Sequence, residues 1–358
     1  VITFAELADK TYGDAAFALT ASASSSLAVS FELISGPATL FGNELTITGA
    51  GAVSVKAVQL GDDNYKAADD VVRTFTVNKA AQAITFAELA DKTYGDAAFA
   101  LTASASSSLA VSFEVVSGPA TLSGNELTIT GAGAVSVKAV QLGDDNYKAA
   151  EEVVRTFTVN KAVQVITFAE LSDKSYGDAA FTLEASASSS LAVSFELISG
   201  PATLSGNELT ITGAGAVSVK AVQLGDDNYK AADDVVRTFT VNKAAQVITF
   251  AELADKTYGD AAFALTASAS SELAVALEVV SGPATLSGNE LSITGAGEVS
   301  IKAIQAGDAN YKAADEVVRT FTVNKAAQVI TFAELADKTY GDAAFALTAS
   351  ASSSLAVS

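Results

Sequence analysis

Apolar and polar residues alternate at a period of two through most of this chain, in short runs separated by turn residues. In residues 16–22, Phe17, Leu19 and Ala21 fall on one side of an extended chain, and residues 29–33 show the same alternation. A period of two is typical of strands with one buried face, whereas an amphipathic helix has a period near 3.6. The pattern therefore predicts half-buried strands.

Seven strands are predicted in the first 77 residues. A two-residue connection, Gly42-Asn43, is of the kind that closes a hairpin between the fourth and fifth strands. Seven short strands with turns every ~8–12 residues indicate an antiparallel β-sandwich with an immunoglobulin-like layout. The many alanines favour a helical alternative, but valine, threonine and phenylalanine dominate the apolar runs and Gly and Pro recur too often for long helices. The predicted strands are residues 2–4, 16–22, 29–33, 38–41, 44–48, 53–58 and 71–77.

The whole strand pattern repeats every 82 residues without an insertion or deletion. The stretch 2–14 returns almost unchanged from Ile84, Ile166, Ile248 and Ile330. A unit of this length exceeds the ~20–45 residues of solenoid repeats and can bury a small core of its own. The predicted domains are residues 1–82, 83–164, 165–246 and 247–328, followed by 329–358 as the incomplete start of a fifth repeat.

Residues 329–358 carry only the first two predicted strands and the beginning of a third. Such a piece cannot bury a core alone, so we expect further sequence or another chain to complete it. The segment between repeats, residues 78–83, contains neither glycine nor proline. It predicts less freedom than a Gly/Ser linker, and four such domains in line would form a rod of roughly 130–160 Å.

Composition excludes several kinds of chemistry. The chain has no cysteine, histidine, methionine or tryptophan, so disulfides, thiolate ligands and imidazole bases are absent. Lysine and arginine number 21 against 41 acidic residues, and the net charge of −20 disfavours nucleic acid and anionic membranes as partners. No apolar run approaches the ~18–20 residues of a membrane span, so we expect any anchor or export signal to lie outside residues 1–358.

Paired acids are the nearest approach to an acid–base site. They change freely between copies, which indicates solvated charges, and no catalytic residue is predicted. The pairs are Asp69-Asp70, Glu151-Glu152, Asp233-Asp234 and Asp315-Glu316.

The loop formed by residues 61–70 combines four acids with an amide, which are oxygen ligands of the type that calcium selects. However, the fourth copy has Ala309 in place of Asp63, and the spacing does not match an EF-hand. The preferred interpretation is that Asp62 and Asn64 shape a turn, while Tyr65 closes the end of its own core as a tyrosine corner. No cofactor is therefore predicted, and calcium stays as the alternative.

Two further sets of residues have structural interpretations. Asp9 and Asp14 are predicted to be turn aspartates, Tyr12 a core plug and Gly13 a left-handed residue. The arginine at position 73 falls on the inward face of the last strand. It must either pair with a carboxylate at the sandwich edge or be turned to solvent by a bulge near position 72. The arginine recurs as Arg155, Arg237 and Arg319.

The unit resembles the bacterial immunoglobulin-like tandem repeats of large cell-surface and adhesin-type proteins. The resemblance covers the whole unit and rests on residues 9–14, 35–40, 42–51, 61–68 and 75–77. It implies a β-sandwich strung into an extracellular stalk, filament or adhesin, and it implies no enzyme.

The predicted function is a non-enzymatic structural repeat region of an extracellular bacterial surface protein, with other copies of itself or cell-surface ligands as partners. One alternative is a multivalent module for a glycan or partner protein. No aromatic platform supports this alternative, because the only aromatic residues predicted outside the core are Tyr12, Tyr65 and Phe41, and Phe41 is a serine in the other copies. Another alternative is a subunit of a multi-chain surface filament.

Overall fold

The computed structural model describes residues 1–358 and consists of strands, turns and loops. The first repeat contains β1 (Ile2–Phe4), β2 (Lys10–Thr11), β3 (Phe17–Ala18), β4 (Ala21–Ala23), β5 (Ser30–Ser35), β6 (Ala38–Phe41), β7 (Glu44–Ile47), β8 (Gly51–Val58) and β9 (Val71–Asn78). The second contains β10 (Ile84–Phe86), β11 (Lys92–Thr93), β12 (Phe99–Ala100), β13 (Ala103–Ala105), β14 (Ser112–Ser117), β15 (Ala120–Ser123), β16 (Glu126–Ile129), β17 (Gly133–Val140) and β18 (Val153–Asn160).

The third and fourth repeats follow the same order. The third contains β19 (Ile166–Phe168), β20 (Lys174–Ser175), β21 (Phe181–Thr182), β22 (Ala185–Ala187), β23 (Ser194–Ser199), β24 (Ala202–Ser205), β25 (Glu208–Ile211), β26 (Gly215–Val222) and β27 (Val235–Asn242). The fourth contains β28 (Ile248–Phe250), β29 (Lys256–Thr257), β30 (Phe263–Ala264), β31 (Ala267–Ala269), β32 (Ala276–Ser281), β33 (Ala284–Ser287), β34 (Glu290–Ile293), β35 (Gly297–Ile304) and β36 (Val317–Asn324). The last segment forms β37 (Ile330–Phe332) and β38 (Ala349–Ala351).

Each repeat is a sandwich with the strand distribution of an immunoglobulin-like domain. In the first repeat one layer has the order β2-β9-β8-β5, and the other consists of the pair β1-β4 and the sheet β3-β7-β6. All pairs are antiparallel except β2 with β9, which is parallel. The predicted all-β, immunoglobulin-like fold is confirmed. The seven predicted strands become nine because β2 was not predicted and the second predicted strand is interrupted.

The second predicted strand, residues 16–22, changes partner in its middle. β3 pairs with β7, whereas β4 pairs with β1. Between them the Leu19 backbone N–H donates to the Asn43 carbonyl at 2.7 Å, and the Leu19 side chain is only 1% exposed. The period-two pattern continues through this point because the side chain at the break still faces the core.

The predicted hairpin at Gly42-Asn43 is confirmed. Phe41 lies opposite Glu44 across a two-residue turn, and Gly42 has φ +64°. A positive φ at the first turn position matches a II′ turn, whose twist suits a hairpin.

Each repeat has its own hydrophobic core. In the second repeat the fully buried side chains are Leu127, Val135, Val137 and Ala139, with Phe157 3% exposed. Equivalent clusters fill the other three repeats. In the last segment, by contrast, apolar residues such as Ile330 and Phe332 are more than half exposed.

The chain divides into two compact units. The first comprises Val1–Val165 with Leu224–Ala232, and the second comprises Ile166–Gln223 with Asp233–Ser358. A loop of the third repeat is thus grouped with the second repeat. The predicted boundaries after residues 82, 164 and 246 stay predictions. No helix with the length and hydropathy of a membrane span occurs in the structure.

Candidate functional site

The acidic loop that follows β8 or its counterpart is the most distinctive feature outside the cores. We call it the clasp loop, and it comprises residues 61–66, 143–148, 225–230 and 307–312. In the second repeat the Asp144 Oδ1 atom accepts hydrogen bonds from the backbone N–H groups of Asn146 and Tyr147, both at 2.8 Å. Gly143 has φ +79°, and a Cβ there would lie 2.4 Å from the Tyr147 carbonyl oxygen. The aspartate and the glycine together fix the loop in one tight turn.

The clasp loop captures the segment that leads into its own repeat. The Ala80 N–H donates to the Asn146 carbonyl and the Lys148 N–H donates to the Ala80 carbonyl, each at 2.9 Å. These two bonds form a parallel β-bridge between Ala80 and Tyr147. The Lys79 Nζ atom also donates to the Asp144 carbonyl. The linker is therefore hydrogen-bonded along its length to the repeat that follows it.

A glutamine completes this attachment of the linker. The Gln82 amide donates to the Gln141 side chain and, at 2.7 Å, to the Lys148 carbonyl. The Ser107 hydroxyl donates to the Gln82 Oε1 atom. Gln141 is only 9% exposed, and its own Oε1 accepts from the Gly143 N–H at 2.6 Å. Buried amides need such partners, so this network orders the entrance to the second repeat.

Two adjacent residues of the clasp loop also bind the preceding repeat. The Ala50 N–H donates to the Asn146 Oδ1 atom at 2.9 Å. The rings of Tyr12 and Tyr147 meet edge to face, with centroids 5.4 Å apart and planes at 87°. This is a favourable geometry for an aromatic pair. Asn146 thus binds the linker through its backbone and the first repeat through its side chain.

The same joint occurs three times in the chain. Within the first unit, Asn228 accepts from the Ala132 N–H at 2.8 Å, and Tyr229 pairs with Tyr94 at 5.4 Å. Within the second unit the corresponding distances are 2.9 Å for the hydrogen bond and 5.5 Å for the ring pair. There the partners are Asn310 with Ala214 and Tyr311 with Tyr176.

The first and fourth repeats show the two halves of the joint separately. In the first repeat the clasp loop keeps the same turn, since Asp62 accepts from Asn64 and Tyr65 at 2.8 Å, and Tyr65 is 54% exposed. In the fourth repeat Tyr258, the counterpart of Tyr12, is 50% exposed. The turn of the clasp loop is therefore set within its own repeat.

The structure corrects part of the interpretation of this loop. The turn-forming role of Asp62 is confirmed. The roles predicted for Asn64 and Tyr65 are wrong, because their counterparts Asn146 and Tyr147 contact the preceding repeat instead of shaping the turn or closing their own core. The varied position Asp63, which is Ala309 in the fourth copy, makes none of these contacts.

A calcium site at this loop stays untested. Nowhere in the structure do three or more His, Cys, Asp or Glu side chains cluster closely enough to hold a metal ion. The Asp144 Oδ1 atom is already engaged by two backbone N–H groups. The prediction that no cofactor is needed remains a prediction.

The residues around the first turn take mixed roles. Asp14 accepts from the Thr11 N–H at 2.9 Å and Gly13 has φ +91°, as predicted. Asp9 is not a turn aspartate, because its Oδ1 accepts from the distant Thr76 N–H of β9 at 2.8 Å. Tyr12 packs against its own core, as predicted, and also forms the joint.

Arg73 bridges the open edge of the sandwich. Its Nε atom donates to the Phe4 carbonyl at 3.0 Å and lies 3.4 Å from the Glu6 carboxylate. The pairing of β9 with β8 is regular through position 72. Of the two predicted alternatives, the carboxylate at the edge is therefore confirmed and the bulge is excluded.

The acid pairs form surface ion pairs. In the second repeat Lys138 lies 3.0 Å from Glu152 and 3.2 Å from Glu114. Hydrogen bonds that Lys138 donates to Glu152, and then to Glu114, raise the pKa of Lys138 above its ordinary value. Exposed pairs of this kind contribute little to stability. They account for the freedom with which Asp and Glu interchange at these positions.

Comparisons with known proteins identify a type of fold but no family. Three short segments, residues 55–65, 137–147 and 219–229, match the RIP homotypic interaction motif. They cover a small part of the chain and lie at the end of β8 and its counterparts and in the loops that follow. No curated protein matches the chain.

The similar solved structures are tandem immunoglobulin or cadherin repeats of adhesion proteins. Drosophila N-cadherin EC1-4 is 12% identical, with 89% of this chain and 98% of that chain covered and a TM-score of 0.25. Sidekick-1 immunoglobulin domains 1-5 are 13% identical, with 91% and 81% covered and a TM-score of 0.27. The tetra-tandem repeat in the extending region of a large adhesion protein is 11% identical, with 83% and 91% covered and a TM-score of 0.31. At these values the similarity assigns neither a family nor a function.

Proposed function

We propose that this chain is a non-enzymatic repeat region of an extracellular bacterial surface protein, acting as an extended stalk or filament that projects or links adhesive parts. The observation that carries the proposal is the joint, which recurs three times with the same residues and distances. A region that only needed to connect independent domains would have no use for such a joint.

The joint supports stiffness because it leaves few free residues at the hinge. Lys79, Ala80 and Gln82 are hydrogen-bonded to the following repeat. Asn146 and Tyr147 then bind the preceding repeat on a second side. A rotation about the linker would break these contacts together, so we expect a narrow range of orientations between neighbouring repeats.

Small-angle scattering of the whole chain tests this function. The proposal predicts an elongated particle with a maximum dimension of roughly 130–160 Å, from strands that rise ~3.3 Å per residue. A compact profile, or the profile of freely jointed beads, would contradict it.

The alternatives predict different results. A multivalent binding module would bind ligands on a glycan array when displayed in many copies. A multi-chain filament would have a native mass that is a multiple of the mass of one chain. If neither ligand binding nor a multiple of the chain mass is detected, and the scattering profile is elongated, the stalk function is supported over both alternatives.

A further inference from the structure

We propose that each joint is a latch that opens and closes as a unit while both neighbouring sandwiches stay folded. This inference rests on the proposed stalk function and adds a way for the stalk to yield under load. Three observations lead to it: the position of the joint outside the buried cores, the preformed clasp loop and the constant framework on which that loop docks.

The joint lies outside the buried cores, although Tyr12 and Ala50 pack against the edge of the first one. The core of the second repeat consists of residues such as Leu127, Val135 and Phe157, and no residue of the clasp loop 143–148 belongs to it. The contacts with the first repeat are one hydrogen bond from Ala50 and one ring pair. Losing them removes no core packing, so the joint can open at a much lower free energy than the sandwich.

The clasp loop is preformed for closure. In the first repeat, where Tyr65 is exposed, Asp62 still accepts both backbone hydrogen bonds at 2.8 Å and Gly61 has φ +79°. Gly143, in a closed joint, has the same φ. Closing therefore requires little ordering of the loop, which favours rapid return to the closed state.

The framework on which the clasp loop docks is the same in the first and fourth repeats. Strands β34 and β35 have the same relative bounds as β7 and β8. In the fourth repeat Tyr258, Gly295 and Ala296 line an open cavity of about 860 Å³, and the linker and residues 352–355 of the last segment line it as well. The docking framework is therefore set within each repeat.

The linker provides a direct reporter of opening. The sequence Asn-Lys-Ala occurs at residues 78–80, where the backbone of Ala80 is held in a bridge, and at 324–326, where the linker is exposed. A protease must bind its substrate as a free extended strand, so cleavage after Lys79 requires the clasp loop to leave the preceding repeat and the Ala80 bridge to open as well. Lys325, in the exposed linker, is the comparison site within residues 1–358.

The test is limited trypsin digestion of the whole chain, with intact masses used to assign each cut. We expect early cuts after Lys325 and slow cuts after Lys79. The double variant Asn146→Ala/Tyr147→Ala should speed the cut after Lys79 by about tenfold or more, because protection follows the open population when closing is fast. Asp144 is retained so that the loop keeps its turn.

The matched control is the same double substitution in the clasp loop of the first repeat, Asn64→Ala/Tyr65→Ala, where the tyrosine is exposed. It should leave the cut after Lys79 unchanged. Circular dichroism melting should be the same for both variants, since neither touches a core.

Three results would overturn the latch. They are cleavage after Lys79 as fast as after Lys325 in the unaltered chain, no acceleration in the Asn146/Tyr147 variant, and acceleration only together with cuts inside the sandwiches. If cleavage after Lys79 accelerates only together with cuts inside the sandwiches, and the scattering profile is elongated, the latch is rejected but the proposed stalk function is not. A profile of freely jointed beads would reject the stalk itself.

Discussion

Gly49 gives the sharpest single-residue test of the joint, because it acts on the loop from the opposite side. A Cβ at Gly49 would lie 3.1 Å from the Asn146 Oδ1 atom and 3.0 Å from Pro37 Cβ. Its φ lies outside the left-handed region, so alanine brings no backbone strain there. Gly49→Ala is therefore expected to displace the asparagine amide and break its hydrogen bond with the Ala50 N–H.

The magnitude follows from that one bond. A net hydrogen bond contributes about 0.5–1.5 kcal/mol, and water can replace part of it at this half-buried site. A loss of about 1 kcal/mol corresponds to a roughly fivefold increase in the open population of the joint. The rate of tryptic cleavage after Lys79 should rise by the same factor.

The chain supplies a matched control for this substitution. Gly295, in the fourth repeat, has the same proline contact, with Pro283 Cβ 3.1 Å from an added Cβ, and no asparagine opposite. Gly295→Ala should leave the cut after Lys79 unchanged. In an Asn146→Ala background Gly49→Ala should lose its effect, as the two changes share one interaction. Equal effects of Gly49→Ala and Gly295→Ala on this cut would refute the reasoning.

Further predictions concern the loop, the sandwich edge and the surface charges. Asp144→Ala should speed cleavage after Lys79, whereas Asp145→Ala should not, because only Asp144 holds the turn and the fourth copy has alanine at the other position. Replacing all four edge arginines by methionine should lower the free energy of unfolding by about 1–2 kcal/mol per repeat, because a charged hydrogen bond to a strand carbonyl is lost at a partly exposed site. The urea midpoint should fall accordingly. Because the pKa of Lys138 is raised in the folded protein, the ion pair stabilises the fold fully below pH 10.5, and this effect is lost as the pH rises through the pKa of the folded state. Since the chain also has no histidine, melting temperatures should be constant from about pH 6 to 9. A fall in melting temperature within that neutral range would contradict the last expectation.

Most of the fold could be predicted from the sequence because burial in a sandwich imposes a period of two on every strand. The hairpin at Gly42-Asn43 and the strands around it were local and followed directly. The strand Lys10–Thr11 was missed because it has two residues and pairs in parallel with β9, far along the chain. The interruption at Leu19 was missed because that side chain still faces the core and preserves the pattern.

The joint could not be predicted because its key contacts join residues that are distant in sequence. Ala50 and Asn146 are 96 positions apart, which is more than one repeat. Because the copies are nearly identical, the sequence does not show whether an asparagine side chain binds its own repeat or the preceding one. One signal was available: the asparagine and the tyrosine are kept in all four copies, while the neighbouring Asp63 becomes Ala309.

The most direct test of the central claim is the distance distribution between spin labels placed on either side of one joint. The chain contains no cysteine, so Thr46→Cys and Thr128→Cys, at exposed and equivalent positions of the first two repeats, give a single labelled pair. We predict a single narrow distribution in the otherwise unaltered chain and a broad one after Asn146→Ala/Tyr147→Ala. A broad distribution before the joint is altered, or a narrow one that the double variant leaves unchanged, would contradict the account.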